Sequence, residues 1–276
     1  PNRAVVAAMT NKQSNEDGTL SDEEINWLTR RAEGGFGIVT TAATHVVPEG
    51  QGWDGEMGVW GDHQLPGLTR LAAGINQHGA ISLAQIFHGG MRCPQRLTGV
   101  QPVSASVNQT GDSDNGETRA LEDSEIEDLV EAFATAAARC EKAGFDGVEI
   151  HGAHGYLVCQ FLGTETNRRD DRWGGPLENR ARFLFKIIER IREVTSDDFL
   201  LGVRISPEYK NIGVVLEDSL DLVDMLADSA IDFLHISCWD CFIPPTHHDD
   251  PRMVTEIFAE RLANRLPLIT CGAVWS

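Results

Sequence analysis

Short β-branched apolar runs alternate with amphipathic helical stretches along the whole chain, and this alternation constrains the fold more than any other feature. The runs cover 3–8, 36–40, 80–85, 146–150, 199–205, 231–236 and 267–271, and they read as strands of a parallel sheet buried on both faces. Between them, Ile126, Leu129, Val130, Phe133, Ala137 and Cys140 fall on one helical stripe. Phe183, Leu184, Ile187, Ile188, Ile191 and Val194 fall on another. Ser124 with Glu127 has the spacing of a capping box, and Ser21 with Glu24 caps a further helix that ends at Gly34-Gly35. Strand and helix repeated in this order predict an α/β fold.

An open doubly wound sheet would carry a tight glycine turn after its first strand, and Met9-Thr10-Asn11-Lys12 stands there instead. The longest irregular segments, 88–122 and 163–178, both follow strands. Elaborated loops on that one rim are how a (β/α)8 TIM barrel builds its site, so a barrel is expected. Seven strands are found rather than eight, and seven would leave two edges with unpaired backbone groups. Residues 1–276 are therefore read as a single barrel domain that is C-terminally incomplete and lacks the eighth strand.

The surface charge narrows the partners. Forty-two acidic against 23 basic side chains give a formal charge of −19, which repels phosphate backbones and anionic lipid, so no nucleic acid and no membrane partner is expected. No apolar stretch approaches the ~20 residues that span a bilayer, and the short run 4–9 is no signal-peptide core. Because no Met begins the chain, the natural start is expected upstream. The six cysteines are scattered and read as reduced thiols of a cytoplasmic protein. Cys238 and Cys241 form an isolated C-x-x-C, a poor match to a zinc or redox site. Self-association is left open.

In a barrel the chemistry sits at strand ends. The fourth run ends in His151-Gly152-Ala153-His154-Gly155-Tyr156-Leu157. A one-turn spacing brings His151 and His154 to one side, where two imidazole N–H groups can bind an oxygen on which negative charge develops. Tyr156 offers a phenolic proton nearby. A pair of capping or core histidines fits the spacing equally well, and a zinc site fits it poorly because no Glu or Cys ligand is close. His247-His248-Asp249-Asp250 reads as a solvated acidic loop, so no metal is expected.

Beyond these residues the sequence resembles the Old Yellow Enzyme family. The resemblance is carried by the His151 motif, by Gln160-Phe161-Leu162, by Asn167-Arg168-Arg169-Asp170, and by the run from Trp173-Gly174-Gly175-Pro176 to Phe183. It continues in Gly34-Gly35-Phe36-Gly37, Gln85-Ile86-Phe87-His88-Gly89-Gly90, Pro102-Val103-Ser104-Ala105 and Val203-Arg204-Ile205-Ser206, and so covers essentially the whole chain. It implies a (β/α)8 barrel holding FMN and using NADH or NADPH.

The resemblance also implies roles. Gln85 serves the flavin's pyrimidine edge. Arg204 places a guanidinium beside N1 and O2, and an unpaired charge at a barrel mouth would otherwise be costly. Thr10 meets the C4 carbonyl after the backbone of Ala8 and Met9 passes the ring, with Ala8 standing where the family usually has Pro. Ala43 lets backbone approach, and Gly272 with Ala273 begins the phosphate cradle. Arg92 follows His88 with one residue more than the family's spacing, which leaves its role unassigned, and Trp173 replaces the family's Tyr. Residues 112–117 read as an exposed loop, part of a lid. The implied activity is reduction of activated alkenes such as enones and nitroalkenes. In that reaction hydride comes from flavin N5, His151 and His154 bind the substrate, and Tyr156 protonates it. Two other readings stay open. One is the barrel portion of a larger FMN and iron–sulfur enzyme resembling dienoyl-CoA reductase or trimethylamine dehydrogenase, and the other is a flavin-free barrel that only binds.

Overall fold

The seven apolar runs form seven strands, in a computed structural model that describes residues 2–274. The chain opens with β1 (Val5–Val6), α1 (Asp22–Glu33), β2 (Ile38–His45), α2 (Leu65–Asn76) and β3 (Ile81–Phe87). A short helix, α3 (Gln95–Thr98), and two short strands, β4 (Val103–Ser104) and β5 (Arg119–Ala120), precede α4 (Asp123–Ala143) and β6 (Gly147–Gly152). Then follow α5 (Leu157–Leu162), α6 (Leu177–Arg180), α7 (Arg182–Val194), β7 (Leu200–Ile205), α8 (Leu216–Ala227), β8 (Phe233–Ser237), α9 (Val254–Leu262) and β9 (Leu268–Cys271).

The main sheet runs β1-β2-β3-β6-β7-β8-β9, parallel throughout, while β4 and β5 pair separately. Parallel neighbours need a crossover that returns the chain, and helices supply most of these here. The sheet curls into part of a barrel: Arg204, on β7, reaches across to donate to the carbonyl oxygen of Ala8 just past β1, at 3.1 Å. On the outside, α4 and α7 seat the two apolar stripes against the strands, with Phe133 and Phe161 both packed on Phe183. Fully burying one such side chain stabilises the fold by about 1.5–3 kcal/mol. Among the described residues no helix is long and apolar enough to cross a membrane.

Several boundaries differ from the sequence reading. The helix expected to start at the Ser124–Glu127 box starts earlier, with Glu122 as its N-cap, because Glu125 reaches back to the Glu122 N–H at 2.8 Å. Ser21 does cap α1 through the Glu24 N–H, but the Glu24 carboxylate turns inward to Asn11 and Ser14. The segment 88–122 is less irregular than expected, since it holds α3 and the β4–β5 pair. β2 runs on past Thr40: its register against β3 shifts between Thr40 and Ala43, and that irregularity pairs Ala43 with Gln85.

Two glycines make the strand packing possible. A Cβ on Gly147 would stand 2.3 Å from the Leu200 carbonyl oxygen, and one on Gly202 would stand 2.0 Å from the Phe233 ring. Gly202→Ala should therefore lower unfolding stability by about 1–3 kcal/mol, the usual cost of overpacking, as read from urea midpoints. An unchanged midpoint would show that the Phe233 ring can yield.

Candidate active site

Strand ends and the loops after them deliver the site. Ala8, Met9, Thr10, Ala43, Gln85, His151, His154, Tyr156 and Arg204 line one cavity, and Trp53 joins them. Gly272 and Ala273 do not line it. They lie just past β9, where the Gly272 carbonyl accepts the Cys241 N–H and a Cβ on Gly272 would strike the Cys238 carbonyl at 2.3 Å.

His151 is part of β6 and His154 lies in the following turn, so a helical spacing is not what unites them. His154 has a φ of 60°, a left-handed conformation that costs a non-glycine residue about 1–3 kcal/mol. The turn is held from three sides: the His154 N–H donates to Ser206 Oγ, its carbonyl accepts from Arg92 Nη1, and its Nε2 lies 2.7 Å from Ser237 Oγ. The two imidazole rings then meet edge to face, with centroids 4.9 Å apart, and the Tyr156 ring stands 4.9 Å from His151.

Protonation follows from these partners. The Ala153 N–H donates to His151 Nδ1, so the His151 proton sits on Nε2. Ser237 Oγ accepts from Arg204 Nη2 and lies 2.7 Å from His154 Nε2, an arrangement that either His154 tautomer satisfies. Burial, joined by the neighbouring imidazole and by Arg204, holds His151 well below the ordinary histidine value. Burial and Arg204 bring His154 down to about 4. Both rings are neutral N–H donors at pH 7. Burial raises the Tyr156 phenol against the pull of Arg92, whose guanidinium lies 4.6 Å above the ring, so Tyr156 keeps its proton.

Gln85 and Arg204 line the same cavity. Gln85 Nε2 donates to Glu149 Oε1 at 2.7 Å, which leaves its carbonyl oxygen and second N–H uncommitted. Arg204 is 4% exposed and, among the described residues, meets no carboxylate. Its partners are the Ala8 carbonyl, Ser237 Oγ and Cys271 Sγ, and its Nε is buried without a partner. A buried cation lacking a counter-carboxylate, facing an amide with a free acceptor and donor, fits the alternating donors and acceptors of a flavin pyrimidine edge. Among the described residues no three His, Cys, Asp or Glu side chains converge to hold a metal ion. His248 pairs instead with Glu217.

Sequence reasoning missed several residues here. Trp53 packs on Phe87 at 5.4 Å and near Tyr156 at 6.2 Å. It is pinned by the buried Glu56, which accepts the Gly52 and Trp53 N–H groups and faces His45 Nδ1. Arg92, left unassigned by its spacing, lies against both Tyr156 and His154. Glu149 and His235 form a buried pair beneath Gln85, at 2.7 Å. A charged residue inside an apolar strand, as in Val148-Glu149-Ile150 and Leu234-His235-Ile236, was the available signal for both. Trp173, by contrast, is wholly buried away from the cavity and donates to Asp123.

The family described as NADH:flavin oxidoreductase / NADH oxidase matches residues 1–275. The probable NADH-dependent flavin oxidoreductase YqiG of Bacillus subtilis is 41% identical over 283 residues, covering all of this chain and 75% of that protein. The NADH oxidase of Thermoanaerobacter brockii is 34% identical across 99% of this chain, which spans only 43% of it. Among solved structures, the Old Yellow Enzyme homologue of Zymomonas mobilis superposes with a TM-score of 0.87 at 29% identity, over 99% of this chain and 79% of that one. With a family model matching residues 1–275 and a relative 41% identical along the whole chain, the chain belongs to the family of NADH:flavin oxidoreductases and NADH oxidases, FMN enzymes that work with NADH or NADPH.

Proposed function

We propose that the chain is the FMN-binding (β/α)8-type barrel domain of an NAD(P)H oxidoreductase that reduces alkenes activated by a carbonyl or nitro group. The observation that carries this reading is that two neutral imidazole donors and a protonated phenol share one cavity with Gln85 and Arg204. Bound FMN supplies a two-electron hydride carrier between the nicotinamide and the alkene.

The chain's own groups do the rest. Gln85 and Arg204 hold the pyrimidine edge, and the guanidinium stabilises negative charge there. Ala8, Met9 and Thr10 run beside the ring, the small Ala43 leaves it room, and Gly272 with Ala273 serve the phosphate. His151 Nε2–H and the N–H of His154 bind the substrate oxygen, and by stabilising charge on it they draw electron density from the double bond. Arg92 and the T-shaped contact with Phe87 at 5.0 Å hold the Tyr156 ring, whose proton goes to the carbon next to the activating group. One cavity serves nicotinamide and alkene in turn, so the kinetics are ping-pong.

A second reading, a barrel within a longer FMN and iron–sulfur enzyme, is supported by relatives such as the NADH oxidase, of which this chain spans less than half. Iron analysis of the natural full-length protein separates the two. A folded full-length protein that gains no flavin absorbance on adding FMN would overturn both.

Tyr156→Phe should leave bleaching of the flavin by NADH within about twofold of wild type and slow alkene reduction by about 10²–10⁴-fold. Stopped-flow traces of the two half-reactions measure this, and equal effects on both would remove Tyr156 as the proton donor. The histidines give a pH test. His45 and His154 are lowered to about 4 and His88 to about 3, all chiefly by burial, and His151 lies well below its ordinary value. The unfolded chain takes up these protons below about pH 6.5 while the folded one refuses them, so stability is lost as pH falls through that range. Thermal melts from pH 8 to 5 should show the loss. A His151→Asn, His154→Asn double variant should release about two fewer protons' worth of acid sensitivity, and an identical slope would contradict the neutral assignment.

A further inference from the structure

Gln85 and Arg204 stand on β3 and β7, and each leads into a short run of polar contacts beneath the cavity: Gln85 through Glu149 to His235, and Arg204 to Cys271. The sheet register makes this possible, because Gln85 pairs with Glu149 across β3–β6 and Arg204 pairs with His235 across β7–β8. Gln85 Nε2 donates to Glu149 Oε1, and Glu149 Oε2 lies 2.7 Å from His235 Nδ1. Glu149 and His235 are each 1% exposed. The imidazole's far nitrogen, Nε2, is buried without a hydrogen-bond partner. Arg204 Nη2 donates to Cys271 Sγ at 3.0 Å.

We propose that Glu149, His235 and Cys271 are positioning residues for the flavin's pyrimidine edge: the Glu149–His235 pair fixes the Gln85 amide, and Cys271, in contact with Arg204 Nη2, is the guanidinium's counter-ion. This rests on the FMN reading above. When the thiol is ionised, the four groups are carboxylate, imidazolium, thiolate and guanidinium, and their charges sum to zero. A thiolate is also the acceptor that suits both an imidazolium N–H and an arginine N–H.

The protonation states agree. Burial works against the Glu149 anion, but His235 and then Arg204 hold it below the usual carboxylate value. Burial opposes the His235 cation, yet Glu149 and the Cys271 contact raise it to about 9. Burial would raise Cys271, but His235, Arg204 and the Ser237 hydroxyl bring it down to about 7. Every other thiol moves the opposite way. Burial pushes Cys140, Cys159 and Cys238 up to about 12 and raises Cys93 and Cys241. Cys238 and Cys241, the thiols nearest Cys271, are thus neutral and lend it no charge.

Iodoacetamide labelling of the whole chain, mapped by mass spectrometry from pH 5 to 10 with and without FMN, tests this without any variant. Cys271 should label fastest at pH 7, with a rate midpoint near 7, and added FMN should slow it. In His235→Asn and Glu149→Gln the midpoint should rise by about one unit or more toward the ordinary thiol value. In Glu149→Gln the FMN dissociation constant, read by flavin fluorescence quenching, should also rise about tenfold. A wild-type midpoint at the ordinary thiol value, or a Cys271 no faster than Cys238, would overturn the proposal. So would a folded Glu149→Gln with unchanged midpoint and unchanged FMN affinity. Absence of any FMN binding by the wild type would instead sink the cofactor reading, and the thiol midpoint would still judge the charged chain by itself.

Discussion

A guanidinium taken out of water must be answered by acceptors, and the mouth of this sheet is arranged around that demand. Arg204 projects from β7 and collects the Ala8 carbonyl past β1, Ser237 at the end of β8 and Cys271 at the end of β9. Those contacts tie the first strand to the last two, so the residue that gives the cavity its charge also holds the curl of the sheet. Ser237 passes the same constraint on to His154 by holding its Nε2 at 2.7 Å.

The rest of the site shows how environment divides labour among like side chains. Five histidines, all but His154 fully buried, sit within or around the cavity. Four of them, His45, His88, His151 and His154, are driven neutral by desolvation, and the fifth, His235, is charged because a buried carboxylate faces it. A neutral ring offers one N–H without bringing a net charge. The charged ring lies one layer below, where its partner is permanent. Backbone strain is spent in the same place: the left-handed His154 is tolerated because Ser206, Arg92 and Ser237 all bind that turn.

Much of this was legible in advance, and for identifiable reasons. All seven strands lie where β-branched runs occur, since burial on both faces leaves a continuous apolar signature. Their ends were less legible. The register shift in β2 that aims Ala43 at Gln85 has no local signature, and the Ser124 cap lost to Glu122 because Glu125 found two partners, the Glu122 N–H and Arg119. His151, His154, Tyr156, Gln85 and Arg204 could be chosen because strand ends are where a parallel sheet exposes side chains to a shared cavity. Trp53 could not, because its place depends on a loop pinned by Glu56, a residue whose own burial arises only after folding.

Residue order alone determined the α/β alternation, the acidic surface and the positions at which polar side chains interrupt apolar strands. Those are consequences of period and composition, and no long-range contact is needed to read them. Only the tertiary structure decided which interruptions meet. Glu149 finds His235 two strands away, Arg204 finds Cys271 rather than an acid, and His151 meets His154 through a strained turn instead of a helical face. The physical reason is that charge, tautomer and acidity belong to neighbours in space. Here sheet curvature and register, not sequence separation, choose those neighbours.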